Sequence, residues 1–161
     1  MIVLGIDPGT AITGYGLVGE EDGQAVAMAY GAITTPSDLP LPERLKLLQR
    51  DLAEVIERHQ PEQAAVEQLF FNKNVRTALA VGHARGVVLL TLAQAGVPIY
   101  EYTPLEVKQA VTGSGRADKA QVQQMIKLLL GLSKVPKPDD VADALAIAVC
   151  HLHSARLSTL K

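Results

Sequence analysis

Two spacings of apolar residues recur along this chain, and together they predict a layered α/β fold. Ile2-Val3-Leu4-Gly5-Ile6 is a continuous apolar run too short for a helix. Asp7 and the turn-forming pair Pro8-Gly9 close it, so it reads as a buried strand that ends on a carboxylate. Gly14 to Val18 and Ala25 to Ile33 read as two more strands joined by the acidic turn Gly19 to Gly23, which predicts an opening antiparallel meander. Leu45, Leu48, Leu52, Val55 and Ile56 then fall at helical spacing between Leu41 and His59, with charged residues around the rest of the cylinder. Ala64-Ala65-Val66 repeats the first pattern and again ends on an acid, Glu67.

Phe70 to Asn74 reads as a loop and Val75 to about Ala95 as a long helix stopped by Gly96 and Pro98, with a fifth strand at Ile99 to Tyr102. Thr103-Pro104-Leu105-Glu106 has the form of a capping box with proline at the first helical position, and Asp118 with Gln121 can cap the next helix, which runs to about Leu130. Ser133 to Pro138 is a stiff connection before a last helix from Asp139 to about Arg156. The simplest architecture for this order is a five-stranded mixed sheet with helices on both faces.

At 161 residues, 48% of them apolar, the chain suits one domain spanning 1–161. Cys150 is the only cysteine, so no internal disulfide can form, and its apolar surroundings favour a buried structural residue over a nucleophile. The N-terminus opens directly on strand-like sequence with no signal core, and no apolar stretch reads as long enough to span a bilayer, so a cytoplasmic protein without a membrane partner is expected. His151 and His153 stand two apart on a helix, face different ways and are read as surface residues.

Net charge is −2, but it is unevenly distributed. Residues 1–67 hold four of the 15 Lys and Arg against eleven of the 17 acids, whereas 68–137 hold nine basic residues against three acids. A basic middle segment between groups of acids suits an enzyme that holds a phosphate polymer with cations and cuts it with carboxylates.

The acids themselves carry the chemistry. Asp7 and Glu67 end two strands, where a side chain is held rigidly and still reaches solvent. Asp143 lies one turn inside the last helix, sharing a face with Asp139 and Asp140, in an otherwise apolar run where an unpaired charge is expensive. Taken singly, each has a plainer reading: an Asx-turn at Pro8-Gly9, an ion pair for Glu67, a helix cap for Asp139 or Asp140. Jointly they suit a hard divalent ion such as Mg²⁺, which takes oxygen ligands, and metal-assisted phosphodiester chemistry.

Gly5-Ile6-Asp7-Pro8-Gly9-Thr10, Thr13-Gly14-Tyr15-Gly16, Val66-Glu67-Gln68-Leu69-Phe70, Lys73-Asn74, Ala84-Arg85-Gly86, Val107-Lys108-Gln109, Lys119-Ala120-Gln121-Val122 and Asp143-Ala144-Leu145-Ala146-Ile147-Ala148 together resemble the RuvC family of Holliday-junction resolvases, essentially end to end. The resemblance implies an RNase H-like fold, a homodimer, and Mg²⁺-dependent symmetric nicking of four-way DNA junctions in recombination and repair. Two Mg²⁺ per site are implied, with Mn²⁺ able to substitute, as is cooperation with the branch-migration proteins RuvA and RuvB.

By position, Asp7, Glu67, Asp140 and Asp143 match the family's metal-binding acids, and Asp139 is left as a cap. Phe70 aligns with an aromatic that wedges against bases at the crossover, and Lys108 and Lys119 with lysines near the scissile phosphate. Lys73, Arg76 and Arg116, from the basic segment, complete the expected DNA contacts. The small residues Ala78, Gly82 and Gly86, four apart on the long helix, would let a second copy's helix approach closely.

Three other readings are weaker. The Gly5 to Thr10 motif also looks like the phosphate loop of Hsp70 and actin-type ATPases, which need a second lobe. An RNA-processing nuclease of the YqgF type shares the fold, but the basic middle segment and the Phe70 loop favour the junction enzyme, and the four intact acids argue against a junction binder that no longer cuts.

Overall fold

The computed structural model describes residues 1–68 and 74–160. Among them are five strands and five helices: β1 (Val3–Asp7), β2 (Ile12–Glu21), β3 (Gln24–Thr34), α1 (Leu41–His59), β4 (Gln63–Glu67), α2 (Val75–Gln94), β5 (Ile99–Tyr102), α3 (Pro104–Thr112), α4 (Lys119–Leu129) and α5 (Asp139–Thr159). The sheet order is β3-β2-β1-β4-β5; β1 and β2, like β2 and β3, pair antiparallel, whereas β1–β4 and β4–β5 are parallel. The expected five-stranded mixed α/β sheet is therefore present, and both expected capping boxes form, at Thr103–Glu106 and Asp118–Gln121.

Strand alternation splits the core into two layers. Leu4, Ile6, Leu17, Ala64 and Val66 point to the face covered by α1 and α2 and pack with Leu48, Leu52, Val88 and Leu92. Val3, Val18 and Ala65 point the other way and pack with α3, α4 and α5 through Val107, Ile126, Leu145 and Val149. Because side chains two apart share a face, Asp7 follows Val3 and Gly5 onto the α5 side, and Glu67 follows Ala65 there.

Three expectations are corrected. His151 is buried, 2% exposed, because the α5 turn that carries it faces the sheet. Its Nε2 lies 2.6 Å from Gln63 Oε1, and its Nδ1 2.6 Å from the Tyr102 hydroxyl. Since Oε1 can only accept, Nε2 carries the proton and Tyr102 donates to Nδ1. Burial holds this imidazole below its ordinary pKa, so it stays neutral.

The second correction is α2, which is long and apolar enough to cross a membrane by length and composition, contrary to the reading of no such stretch. Its alanines, valines and leucines outweigh Arg76 and Arg85. In this fold it packs through Ala78, Ala84, Val88, Thr91 and Leu92.

The third is the small-residue stripe. A spacing of four overshoots the helical repeat by about 40° per step. Ala78 therefore faces the core, whereas Gly86 is exposed and a Cβ built on it would meet nothing within 4 Å.

Candidate active site

β1 and β4 run side by side in the same direction, with Ile6 opposite Val66, so Asp7 and Glu67 emerge together at adjacent strand ends. This is where the order of connection reverses, since β1 pairs antiparallel with β2 on its other side. Open α/β sheets form their ligand crevice at such a switch point.

The other two acids arrive on α5, which lies unusually close to the sheet because three glycines clear its path. Gly5 and Gly16 are cross-strand partners, and Gly14 stands opposite Asp7. A Cβ at Gly14 would run into the Asp140 carbonyl, and one at Gly5 into the backbone of Ala144 and, at 2.8 Å, the Ala148 nitrogen. At Gly16 it would meet the Leu145 side chain. This glycine-lined trough seats the helix so that Asp140 and Asp143, on its first turns, reach the end of β1. The prediction follows that Gly14→Ala lifts the start of α5. It should cost about 1 to 3 kcal/mol through overpacking and depress cleavage well below that of the parent at temperatures where thermal melts show both proteins folded.

Asp7 senses the convergence most strongly. Burial, then the neighbouring charges of Asp143, Asp140 and Glu67, push its carboxyl up to about 8. Glu67 is also raised, chiefly by burial and then by Asp143, with Lys108 and Lys119 opposing. Asp143 is raised by burial and held back by Lys119. At neutral pH, Asp7 therefore keeps a proton that hydrogen-bonds to Asp143, relieving like-charge repulsion in a half-dry site. Four carboxylates and no sulfur or imidazole form an oxygen-only set, the chemistry a hard divalent cation prefers. Among the described residues, no three acidic, histidine or cysteine side chains converge on one ion as they stand, so the carboxylates would have to turn inward around it.

Two clefts meet at the cluster. One, of about 390 Å³, is lined by Asp7, Gly9, Glu67, Arg85, Pro104 and Asp140. The other, of about 270 Å³, holds Glu67 and Asp143 with Lys108, Lys119 and apolar residues of α3, α4 and α5. Lys119 Nζ stands 3.5 Å from Asp143 and 3.7 Å from Asp139. Asp139 is not the cap expected of it: Pro138 occupies the N-cap position without a side-chain cap, and Asp139 instead binds Lys137 Nζ at 3.0 Å.

The four acids and the two lysines are thus brought together. Arg116 is exposed in the α3–α4 connection and lines a separate groove with Thr112, Gln121 and Met125. Arg76 is exposed on the first turn of α2. Phe70 and Lys73 lie outside the described residues. Sequence reasoning singled out Ala84-Arg85-Gly86 only as a motif and missed that Arg85 reaches the acid cleft. The glycines of β1 and β2 were likewise read as motif residues and not as a seat for α5.

Residues 3–151 match the family model described as crossover junction endodeoxyribonuclease RuvC. The protein of that name from Alkaliphilus oremlandii is 58% identical over 160 residues, covering 99% of this chain and 98% of its own. That from Chloroflexus aggregans is 60% identical over 155 residues, covering 96% and 94%. Among solved structures, T. thermophilus RuvC in complex with Holliday junction substrate superposes with a TM-score of 0.93 at 41% identity, covering 99% of this chain and 97% of that one. The yeast mitochondrial Holliday junction resolvase Ydc2 shares the fold at a TM-score of 0.67 and 17% identity, covering 98% and 82%. Sheet, helix order and an end-to-end match at this identity leave one conclusion: the chain belongs to the RuvC family of crossover junction endodeoxyribonucleases, with the RNase H-like fold.

Proposed function

We propose that this protein resolves Holliday junctions by cutting DNA phosphodiester bonds at the Asp7, Glu67, Asp140 and Asp143 cluster. The observation that carries the site is the convergence of these acids, from two strands and a helix, beside Lys108 and Lys119. Four-way DNA as substrate is supported by the 41% identical T. thermophilus protein, solved with that DNA. Residues 1–161 act as one nuclease domain in the cytoplasm, in recombination and repair.

A divalent metal is expected of this family. We assign it as Mg²⁺, two per site with Mn²⁺ able to replace it, supplying activation of water and neutralisation of the leaving oxygen. The chain's own residues do the rest. Asp7, Glu67, Asp140 and Asp143 would hold the cation, with Asp7 releasing its proton to do so. Lys108 and Lys119 draw the phosphate backbone across the mouth, with Lys73, Arg76, Arg116 and Phe70 as further DNA contacts.

A two-fold dimer would present two such sites to the two symmetric strands of a junction, with RuvA and RuvB as partners in branch migration. The deciding experiment is a synthetic four-way junction incubated with protein and Mg²⁺, mapping both product strands. Nicks paired symmetrically across the junction support the reading. Binding without cutting would make it a junction binder, and preference for RNA would make it an RNA nuclease of the same fold.

A further inference from the structure

Arg85 is a cation at the acid cleft with no role so far. It sits on the inner side of α2, 13% exposed in its side chain, and lines the same cleft as Asp7, Glu67 and Asp140. Nη1 donates to the backbone carbonyl of Glu67 at 3.3 Å, and Nη2 pairs with the Glu101 carboxylate on β5. One planar guanidinium thus spans the ends of β4 and β5, just where their pairing finishes with Gln68 N–H donating to the Tyr102 carbonyl. A second tie joins α2 to the other acid-bearing strand: the Thr10 hydroxyl, three residues past Asp7, donates to the Ala80 carbonyl at 2.9 Å.

From this geometry we infer that Arg85 is a positioning residue for Glu67. It holds the carbonyl, and so the strand end, while the carboxylate is left free for a cation. An arginine suits the task because its rigid fork serves two acceptors at fixed angles, which a lysine ammonium on a flexible stem cannot do. The inference rests on the reading of Glu67 as a metal-binding acid.

The test compares Arg85→Ala, Arg85→Lys and Glu67→Gln with the parent. Two readings are taken: the half-saturating Mg²⁺ concentration for junction cleavage, and the rise in melting temperature produced by Ca²⁺ without DNA. Outer-shell partners of metal ligands typically contribute about 10- to 100-fold in metal affinity. Arg85→Ala should therefore raise the Mg²⁺ requirement by about 10- to 100-fold and shrink the Ca²⁺ stabilisation, while junction binding in EDTA and dimerisation stay as in the parent. Arg85→Lys should recover only part of the loss.

Unchanged Mg²⁺ dependence in Arg85→Ala, with Glu67→Gln impaired, overturns the inference and leaves the site reading standing. If Glu67→Gln itself cuts and binds metal like the parent, the site reading falls and the inference with it. A mutant that loses junction binding in EDTA at unchanged Mg²⁺ dependence would make Arg85 a DNA contact instead.

Discussion

Asp7→Asn should abolish junction cleavage, by about 10²- to 10³-fold or more, the scale set by losing one electrostatic stabiliser of a developing charge. The same protein should keep its affinity for the junction and become more heat-stable in EDTA. Asp7 is the most strongly perturbed of the clustered acids, with its carboxyl at about 8 against an ordinary 3.8. Between those two values the folded state holds a proton that the unfolded state has released. Stability of the metal-free parent therefore falls as pH rises from about 4 to about 8, and the contribution is gone above that. An asparagine carries no charge to be penalised, so the mutant's melting temperature should fall less steeply over the same range, the remaining slope coming from Glu67 and Asp143, which burial also raises. Adding Ca²⁺ at pH 8 should restore the parent and leave the mutant almost unmoved. Melts from pH 5 to 9 with and without Ca²⁺, beside a gel-shift in EDTA, measure all of this. A mutant that is folded yet binds no junction would remove Asp7 from the site, and one that still cuts would remove it from the chemistry.

Gly86→Arg should yield a folded monomer that binds junctions weakly and makes no paired nicks. Only 28% of the most apolar stretch of α2 is buried, far less than a core helix of such composition would be. On its bare side Leu79, Gly86 and Ala93 recur every seven residues with His83 and Leu90 between them, and Leu79 and Leu90 are 59% and 55% exposed. A heptad of small and apolar positions is the pattern that seats one helix against another, and a symmetric pair uses the same face twice. Gly86 is the place to test it, because a side chain there touches nothing within its own chain. Monomer stability should change only by the helix propensity gained on replacing glycine, up to about 1 kcal/mol. Light scattering reads the mass and strand mapping reads the pairing of cuts. An arginine mutant that stays a dimer would move the interface off this helix.

The order of elements was legible in the pattern of apolar residues, because burying such side chains at period 2 or 3.6 leaves few other arrangements. Capping boxes at Thr103 and Asp118 were legible for the same local reason, as were Asp7 and Glu67, since an acid ending an apolar strand is conspicuous in the pattern. Asp143 could be suspected because a charge inside an apolar helix demands a partner. Local spacing could not choose between Asp139 and Asp140, however, since Asp143 shares a face with each. Only the packing of α5 into the glycine trough separates them, turning Asp140 and Asp143 toward β1 and Asp139 toward Lys137 and Lys119. The tertiary structure likewise decided which side of α2 is bare, what Arg85 holds and why His151 is neutral. Each of these depends on which groups approach across long sequence separations, such as Arg85 to Glu67 or His151 to Gln63, and no periodicity records that distance.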